Sequence, residues 1–573
     1  MIRLFRFLRP YWAAITLVLI LVFAQSLANL YLPNLMSNIV DKGIVNKDTN
    51  YILRVGGLML LISLGGVICA IIASFFASRT AVGFGQLIRG KLFAHVENFS
   101  LHEFDSVSTA SLITRTTNDT NQVQQVLVIL LTMMVSAPMM AIGGIILALQ
   151  QDATLAWVLV AAIPILVIAI LLIMRRAIPL FRVMQLKLDK INLVLDEGLT
   201  GVRVIRAFDR TAHEEQRFDL ANQDVTNIAI TVNRITATLW PLMMLVLNLT
   251  TLAIVWFGSI RISNGDMQPG ALIAFMLYAT QILFAMLMLS MMFIMLPRAA
   301  ASATRINEVL DMATTVNDAP GAADNVAAQT TQRGYVAFEN VTFSYPGAEE
   351  PALSHISFSA RPGEVTAIIG GTGAGKSTLV NLIPRFYDVE SGRVLVDGVD
   401  VRDMTQEALR AKIGFVPQTA VLFSGTAIEN IQYGNETAST DAVRHAADIA
   451  QATDFIDAMG DGFDSEIAQG GNNVSGGQKQ RLSIARALVR KPEIYIFDDS
   501  FSALDYKTDA KLRAALKQET TTATVLIVAQ RVSTVMDADQ ILVLDEGQLV
   551  GVGTHRELME SSPVYQEIVY SQL

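Results

Sequence analysis

At 573 residues the chain is long enough for two or three domains. Hydrophobic residues make up 52% of it and charged residues only 17%, a composition too apolar for an ordinary soluble enzyme. The net charge of -9 excludes nucleic acid as the principal partner, because a phosphate backbone is bound by clustered lysine and arginine. The apolar residues are concentrated before about residue 300, so the composition predicts a membrane domain followed by a soluble domain.

Six apolar segments are long enough to cross a bilayer as helices, for which roughly 20 residues are needed. They cover about residues 12–35, 52–78, 127–149, 153–174, 238–260 and 271–296. The first apolar run is longer than the core of a signal peptide, so we interpret it as a retained span.

Basic residues lie almost entirely on one side of these spans. Those on the basic side are Arg3, Arg6, Arg9, Arg79, Arg89, Lys91, Arg115, Arg175, Arg176, Arg182, Lys187 and Lys190. The opposite loops hold little beyond Lys42, Lys47, Arg54 and Arg261. Because basic residues accumulate on the cytoplasmic side, this asymmetry predicts a multi-pass protein of the cell membrane with a cytoplasmic N-terminus and a cytoplasmic C-terminal half.

The connections on the cytoplasmic side are long and have helical periodicity. They cover about residues 79–126 and 175–237, whereas the outer loops 150–152 and 259–270 are short. We expect spans two to five to continue as helices into the cytoplasm, with tips at Phe99–Ser106 and Phe208–Phe218 that dock on the soluble half. The alternative is two small helical hairpins with no mechanical role.

The C-terminal half has an α/β pattern. Residues 311–334 are rich in small and polar residues without a hydrophobic period, which predicts a linker. From Tyr335 onward, short apolar runs such as VTAIIG and IYIFDD alternate with helical segments. We therefore divide the chain into a transmembrane domain, 1–310, a linker, 311–334, and a nucleotide-binding domain, 335–573.

The strand VTAIIG runs into a glycine-rich loop that opens a helix. The loop comprises Gly370, Gly371, Thr372, Gly373, Ala374, Gly375, Lys376, Ser377 and Thr378. Glycines allow backbone N–H groups to surround phosphates, and the helix N-terminus adds partial positive charge. We expect Lys376 to contact the β- and γ-phosphates of ATP and Ser377 to ligate Mg²⁺.

Two further groups complete the predicted chemistry. Asp498 ends the apolar strand IYIF and is the expected acid near Mg²⁺, which it reaches through water, and Gln418 is expected to link the metal to the membrane half. The segment VSGGQ, comprising Val474, Ser475, Gly476, Gly477 and Gln478, begins another helix. Ser475 and Gly477 are candidates to contact a γ-phosphate at that helix N-terminus.

The order of these motifs resembles that of an ATP-binding-cassette domain: the phosphate loop, Gln418, VSGGQ, IYIFDD and SALD (Ser502–Asp505). The cytoplasmic segments Ser111–Thr120 and Gly201–Arg210 are similar to those of bacterial ABC exporters, so the resemblance covers nearly the whole chain. It implies that Tyr345 stacks on adenine. It also implies that two cassettes meet head to tail, each ATP lying between one phosphate loop and the other cassette's signature segment.

The chain departs from the family at two chemical positions. Where most members have a glutamate that activates water, this chain has Asp499, and where they have a histidine it has Gln530. Displacing a catalytic group by about 1 Å costs on the order of 10²-fold, and glutamine carries no charge. The pattern resembles the degenerate subunit of a heterodimeric multidrug exporter. The alternative is drift in a working homodimer.

We therefore predict one half of a heterodimeric ABC exporter that moves lipophilic or amphipathic compounds out of the cell by alternating access. Its own site would bind ATP and Mg²⁺ but hydrolyse slowly, while Ser475 and Gly477 would complete the partner's hydrolytic site. A homodimeric lipid flippase and an ATP-gated channel or regulator remain alternatives.

Signals for the transported compound lie within the spans. Methionines recur there at positions 133, 134, 139, 140, 243, 244, 286, 288, 291, 292 and 295, and they suit either a lining for varied hydrophobic ligands or ordinary packing. Gln25, Asn29, Asn248 and Gln281 are candidates either to line a cavity or to bond between helices.

Overall fold

The computed structural model describes residues 3–322 and 333–572, apart from the side chains of 290, 291, 293 and 294. The central part of the expected linker, residues 323–332, lies outside the described residues. The chain forms two compact units. The first unit comprises residues 1–95 and 110–311, and the second comprises residues 96–109 and 312–573.

All regular elements in the described part of the first unit are helices. Its chain begins with a 3₁₀ helix, Leu4–Tyr11, and has π-helical turns at Ile39–Ile44 and Arg115–Asp119. Its α-helices are α1 (Trp12–Asn38), α2 (Thr49–Val96), α4 (Thr109–Thr114), α5 (Thr120–Gln151), α6 (Trp157–Thr200), α7 (Val202–Ala207), α8 (Thr211–Ala237), α9 (Leu239–Ser263) and α10 (Pro269–Leu310); α3 (Leu101–Val107) lies in the second unit.

Six helices in the described part of the chain are long and apolar enough to cross a membrane. They run through Leu4–Ile44, Thr49–Val96, Thr109–Gln151, Trp157–Thr200, Thr211–Ser263 and Pro269–Leu289. Helix α2 alone has 48 residues, more than twice the roughly 20 residues that a span requires. The predicted fold class, six membrane helices with long helical extensions followed by an α/β nucleotide-binding domain, is confirmed.

A buried polar network joins the base of α5 to α10. Asp119, in the π-helical turn, accepts hydrogen bonds from the Ser302 hydroxyl at 2.8 Å and from Arg305 Nε at 2.7 Å. Arg115 Nη1 donates to the Arg305 carbonyl at 2.8 Å. Burial opposes ionisation of Asp119, but its bonds to Arg305 and Ser302 lower its pKa below the usual value. A buried charge that is paired and hydrogen-bonded in this way fixes how the two helices meet.

The tip at Phe208–Phe218 belongs to the first unit, where α7 turns into α8. Ion pairs tie α8 back to α6, with Lys187 Nζ 2.5 Å from Asp224 and Arg217 bonded to Glu197. At the tip, the Phe208 side chain is 75% exposed. The hairpin is therefore held together along its length and presents an apolar side chain at its end.

The other predicted tip, at Phe99–Ser106, contains α3 and belongs to the second unit. A capping box closes the start of α3, in which the Ser100 N–H and hydroxyl both donate to the Glu103 carboxylate. Glu103 is only 3% exposed, and its other oxygen accepts from the Thr315 N–H at 3.3 Å. Burial opposes ionisation of Glu103, yet the hydrogen bonds from Ser100 and Thr315 lower its pKa below the usual value. The carboxylate thus fastens α3 to the start of the soluble half.

We expect Glu103→Gln to loosen α3, because an amide has one acceptor oxygen where the carboxylate has two. The lowered pKa means that ionised Glu103 stabilises the folded state above the ordinary carboxyl pKa, and that this stabilisation is lost as pH falls through the lowered value. Hydrogen exchange over residues 96–109 measures the effect. Protection should fall on acidification in the wild type and be low throughout in Glu103→Gln; equal protection of both proteins at neutral pH would contradict it.

The second unit is built on two sheets. Strands β2 (Leu353–Ala360), β1 (Val336–Phe343), β4 (Ser391–Val396) and β5 (Val399–Asp400) form an antiparallel sheet in that order. The main sheet has the order β12 (Gln548–Gly553), β11 (Gln540–Asp545), β3 (Val365–Gly370), β10 (Thr524–Val528), β9 (Ile494–Asp498) and β6 (Ile413–Val416), and a short ribbon pairs β7 (Gly425–Thr426) with β8 (Glu466–Ile467).

The main sheet is parallel except for β12. Every residue of β9 and β10 is buried, as expected for parallel strands covered on both faces. The helices of this unit are α11 (Lys376–Leu382), α12 (Gln406–Ala411), α13 (Ala427–Gln432), α14 (Thr440–Ile449), α15 (Thr453–Asp457), α16 (Gly476–Val489), α17 (Tyr506–Glu519), α18 (Val532–Val535), α19 (His555–Ser561) and α20 (Pro563–Tyr570). Because β3, β9 and β10 are parallel, their carboxyl ends meet at one edge.

Candidate nucleotide site

The phosphate loop connects the end of β3 to the start of α11. Gly373 and Gly375 have φ values of +85° and +92°, which favour glycine. A Cβ on Gly375 would lie 2.8 Å from the Ala352 carbonyl oxygen. The backbone can therefore turn this tightly only with glycine at position 375.

We expect Gly375→Ala to destabilise the second unit by about 1–3 kcal/mol, the usual cost of a residue held in an unfavourable backbone region. ATP binding should weaken with it, because the displaced turn carries the N–H groups that would face the phosphates. Thermal unfolding without nucleotide, followed by ATP titration, measures both effects. Gly371→Ala is the matched control for stability, since a Cβ there meets no described atom within 4 Å; equal unfolding temperatures for the two variants would contradict the argument.

Lys376, Ser377 and Asp498 lie together at the carboxyl edge of the sheet. Lys376 Nζ donates to the carbonyl oxygens of Gly370 at 2.9 Å and Gly371 at 2.6 Å. The Ser377 hydroxyl donates to Asp498 Oδ1 at 2.9 Å. Burial lowers the pKa of Lys376, against the effect of the nearby Asp499 and Asp498 carboxylates, and burial raises the pKa of Asp498. Two buried carboxylates beside a hydroxyl form an oxygen donor set of the kind that Mg²⁺ prefers.

Asp499 is held by two glutamine side chains. Gln530 Nε2 donates to Asp499 Oδ2 at 2.8 Å, and Gln418 Nε2 lies 3.4 Å from the same oxygen. Asp499 has a φ of +46° and is 8% exposed. Burial raises its pKa, although the hydrogen bond from Gln418 and the charge of Lys376 act in the opposite direction. The carboxylate is thus drawn toward residue 530 by a neutral donor.

A cavity of about 370 Å³ runs past these groups. It is lined by Tyr345, Ala352, Thr372, Gly373, Gly375, Lys376, Ser377, Thr378, Gln418, Asp499, Val528 and Gln530. The Tyr345 hydroxyl pairs with the Thr378 hydroxyl at 2.9 Å, and the ring is 38% exposed. The cavity lining therefore includes an aromatic surface, phosphate-loop glycines, a lysine and the Asp499 carboxylate.

These residues fit ATP with Mg²⁺. The glycine N–H groups and Lys376 would hold the phosphates, Ser377 and Asp498 would hold the metal, and Tyr345 offers a surface for a base. Bound ATP supplies a phosphoanhydride bond whose hydrolysis drives work. The chain would position the phosphates through the phosphate loop and Lys376.

The signature segment takes a separate position. Ser475 caps α16, accepting from Gln478 N–H at 3.4 Å while its own N–H donates to Gln478 Oε1 at 2.8 Å. Ser475 and Gly476 are exposed, and no residue of 474–478 is among those that line the cavity. Most predicted site residues of this chain line the cavity, and Asp498 joins them through its bond with Ser377. The other predicted residues outside the lining are Gly370, Gly371, Ala374 and the signature segment.

Sequence reasoning missed the role of Gln480, two residues after the signature. Its side chain is buried and donates from Nε2 to the Pro417 carbonyl at 3.2 Å. Helix α16 is thereby tied to the segment that carries Gln418, a residue bonded to Asp499. A buried glutamine on the inner face of an amphipathic helix was the available signal, but its partner is 63 positions away.

An α/β domain with a phosphate loop, fused to six helices that are long and apolar enough to cross a membrane, is the architecture of ATP-driven membrane transporters. The family model for the ABC transporter transmembrane region matches residues 15–286, and the family model described as ABC transporter matches residues 353–502. An uncharacterized ABC transporter ATP-binding protein of Mycobacterium tuberculosis (strain CDC 1551 / Oshkosh) is 44% identical over 569 residues, 99% of this chain and 97% of that protein.

Two further similarities cover the same length. The ATP-dependent lipid A-core flippase of Chromobacterium violaceum is 31% identical, across 99% of this chain and 96% of that protein. A solved structure of a bacterial Atm1-family ABC exporter with ATP bound superposes with a TM-score of 0.80 at 28% identity, covering 99% of this chain and 98% of the other. The chain belongs to the ABC transporter family. It is a multi-pass membrane protein with the fold of an ABC exporter half-transporter and an ATP-binding domain.

Proposed function

We propose that this chain is the degenerate subunit of a heterodimeric ABC exporter of the multidrug type. Its own phosphate loop, Asp499 and Gln530 would bind ATP and hydrolyse it slowly. Its signature residues Ser475 and Gly477 would complete the hydrolytic site of a second half-transporter. The pair would export hydrophobic or amphipathic compounds by alternating access.

The hydrogen bond between Gln530 and Asp499 carries the proposal. Aspartate places its carboxylate one methylene nearer the backbone than glutamate, and here that carboxylate already accepts from Gln530 at 2.8 Å. Water activation needs a free acceptor near the γ-phosphate, and a misplacement of about 1 Å costs on the order of 10²-fold. Gln530 contributes no positive charge to the transition state. Both chemical positions are thus impaired in one site.

The residues expected to bind the phosphates and Mg²⁺ match the family pattern. Lys376, Ser377 and Asp498 keep the residue types and the spacing that phosphate and Mg²⁺ binding require. A site that binds well and hydrolyses poorly retains ATP across cycles. Retained ATP would hold one half of the interface closed while the other half turns over.

The exposed signature segment supports a two-subunit site. The N-terminus of α16 presents Ser475 and Gly476 to solvent, outside the cavity of its own chain. A helix N-terminus is an anion site, so this end fits the γ-phosphate held by another cassette. We also propose three segments: a transmembrane domain at 1–310, a linker at 311–334 and a nucleotide-binding domain at 335–573. The protein would lie in a bacterial cell membrane with its ATP site in the cytoplasm.

A homodimeric lipid flippase is the second candidate, and one observation favours it. Relatives described as ATP-dependent lipid A-core flippases match nearly the full length of the chain. In that case both sites would be identical and both would use Asp499. Stimulation of ATPase activity by lipids rather than by drugs, in liposomes of defined composition, would support the flippase.

Nucleotide retention tests the proposal. The assembled pair is loaded with labelled ATP, allowed to turn over, and freed of unbound nucleotide; we expect about one unhydrolysed ATP per pair. Lys376→Ala should abolish this retained ATP, whereas alanine at the equivalent lysine of the partner should leave it. Retention of ADP alone at the site of this chain would contradict the proposal.

A further inference from the structure

The segment that carries Gln530 has no helix cap of its own. It runs from the end of β10 into α18, a helix of four residues that begins at Val532. The first N–H groups of a helix have no partner inside the helix. The usual partner is a side chain at the N-cap, but Arg531 occupies that position and makes no side-chain cap bond. The Val532 N–H must therefore find its acceptor elsewhere.

Gln572, which follows α20, supplies that acceptor. Its Oε1 accepts from the Val532 N–H at 2.8 Å, and its Nε2 donates to the Gln530 carbonyl at 2.7 Å. A backbone N–H only donates and a carbonyl only accepts, so turning the amide over would lose both bonds. One side chain from another helix thus bonds the backbone on both sides of Arg531.

Helix α20 gives Gln572 a firm support. Ser562 caps the helix by accepting from the Tyr565 N–H at 3.3 Å. The Tyr565 side chain is fully buried, and its hydroxyl pairs with His555 Nδ1 at 2.7 Å. The Gln572 N–H donates to the carbonyl of Val569 at 3.1 Å, and Val569 is itself buried. Contacts outside the lining of the nucleotide cavity therefore fix where the Gln572 amide lies.

The same segment reaches the nucleotide cavity through Gln530. This residue lines the cavity, and its Nε2 donates to Asp499 Oδ2 at 2.8 Å. Because Gln530 is exposed, packing constrains its side chain little, and its direction depends on the backbone that carries it. The bonds from Gln572 hold that backbone. They therefore determine where the Gln530 amide points.

On the basis of the ATP site proposed above, we propose that Gln572 is a positioning residue, which holds Gln530 so that its amide bonds Asp499 beside the γ-phosphate. An amide nitrogen has two N–H donors, so Gln530 can bond Asp499 with one and the γ-phosphate with the other. A displaced amide does neither, and the Asp499 carboxylate then repels the phosphate. Loss of Gln572 therefore weakens binding of ATP more than binding of ADP.

Nucleotide binding to the full-length chain in nanodiscs tests this role. The measured quantity is the ratio of two dissociation constants, one for Mg-ADP and one for the Mg²⁺ complex of the non-hydrolysable β,γ-imido analogue of ATP. We expect Gln572→Ala to lower the preference for the ATP analogue about fivefold, the worth of a typical hydrogen bond. Gln572→Glu should lower it too, because a carboxylate still accepts from the Val532 N–H but cannot donate to the Gln530 carbonyl.

A double substitution separates positioning from general support of the fold. If Gln572 acts through Gln530, then Gln530→Ala lowers the preference at least as much as Gln572→Ala does, and the two together lower it no further. A purely structural role for Gln572 would instead weaken binding of both nucleotides equally, and its effect would add to that of Gln530→Ala.

Gln566→Ala is the matched control. Gln566 lies on the same helix and donates from Nε2 to the Met559 carbonyl at 2.7 Å, outside the cavity lining, so this variant should keep the wild-type preference. An unchanged preference in Gln572→Ala, an equal loss of affinity for both nucleotides, or a loss that persists in Gln530→Ala would overturn the proposal. Failure of the heterodimer scheme would instead appear in nucleotide retention by the assembled pair, which this binding assay does not use.

Discussion

Replacing Ser475 by arginine in the assembled pair should abolish ATP turnover, with a loss on the order of 10²-fold or more. In the proposed arrangement Ser475 and Gly477 meet the γ-phosphate in the partner's site, the one that hydrolyses. A long side chain at the α16 N-terminus would hold that interface open, and loss of a preorganised donor typically costs 10²–10³-fold. Steady-state ATPase activity of the reconstituted pair measures the effect.

Ser439→Arg is the matched control for this substitution. Ser439 is also an exposed serine that caps a helix, α14, through its side chain. Loss of the cap costs about 1 kcal/mol of stability in either case, so the control carries the same structural defect without touching the signature. Turnover should persist in Ser439→Arg. Unimpaired turnover in Ser475→Arg would rule out the division of labour between the two sites.

Restoring the two chemical positions should have the opposite effect. In the pair assembled with a partner whose own phosphate-loop lysine is replaced by alanine, Asp499→Glu combined with Gln530→His should raise ATPase activity on the order of 10²-fold. Glutamate extends the carboxylate by one methylene toward the attacking water, and histidine removes the amide that now bonds Asp499. The single Asp499→Glu change should give a smaller gain, because Gln530 would remain. ATPase assays in nanodiscs compare the wild type, the single variant and the double variant.

Lys376→Ala in the restored background is the control, because it removes the phosphate contact that any hydrolysis at this site needs. Activity that survives Lys376→Ala would come from a contaminant. A restored variant that folds and binds ATP, yet hydrolyses no faster than the wild type, would contradict the assignment of Asp499 and Gln530 as the impaired positions.

Local patterns predicted the elements of this fold well. The six spans were readable because each is an apolar run longer than 20 residues, a signal that depends on composition alone. The phosphate loop was readable because its glycines, Lys376 and Ser377 are contiguous and follow a buried strand. Asp498 followed from the end of an apolar strand. These predictions needed no knowledge of which segments meet.

Local sequence patterns could not predict which distant segments contact each other. The sequence shows a tip at Phe99–Ser106, but the bond from Thr315 to Glu103 joins residues 212 positions apart. The bond from Gln281 to the Asn29 carbonyl spans 252 positions. Glutamines within apolar spans predicted either a cavity or bonding between helices. In the structure Gln281 serves the second role with Nε2, and its Oε1 is buried with no hydrogen-bond partner among the described residues.

The most direct measurement of the central claim is the ATPase rate of this chain alone, reconstituted in nanodiscs, against that of the chain with its partner. The account predicts tight ATP binding with little turnover for the chain alone, and brisk turnover for the pair. Equal rates per ATP site in the two preparations would contradict it.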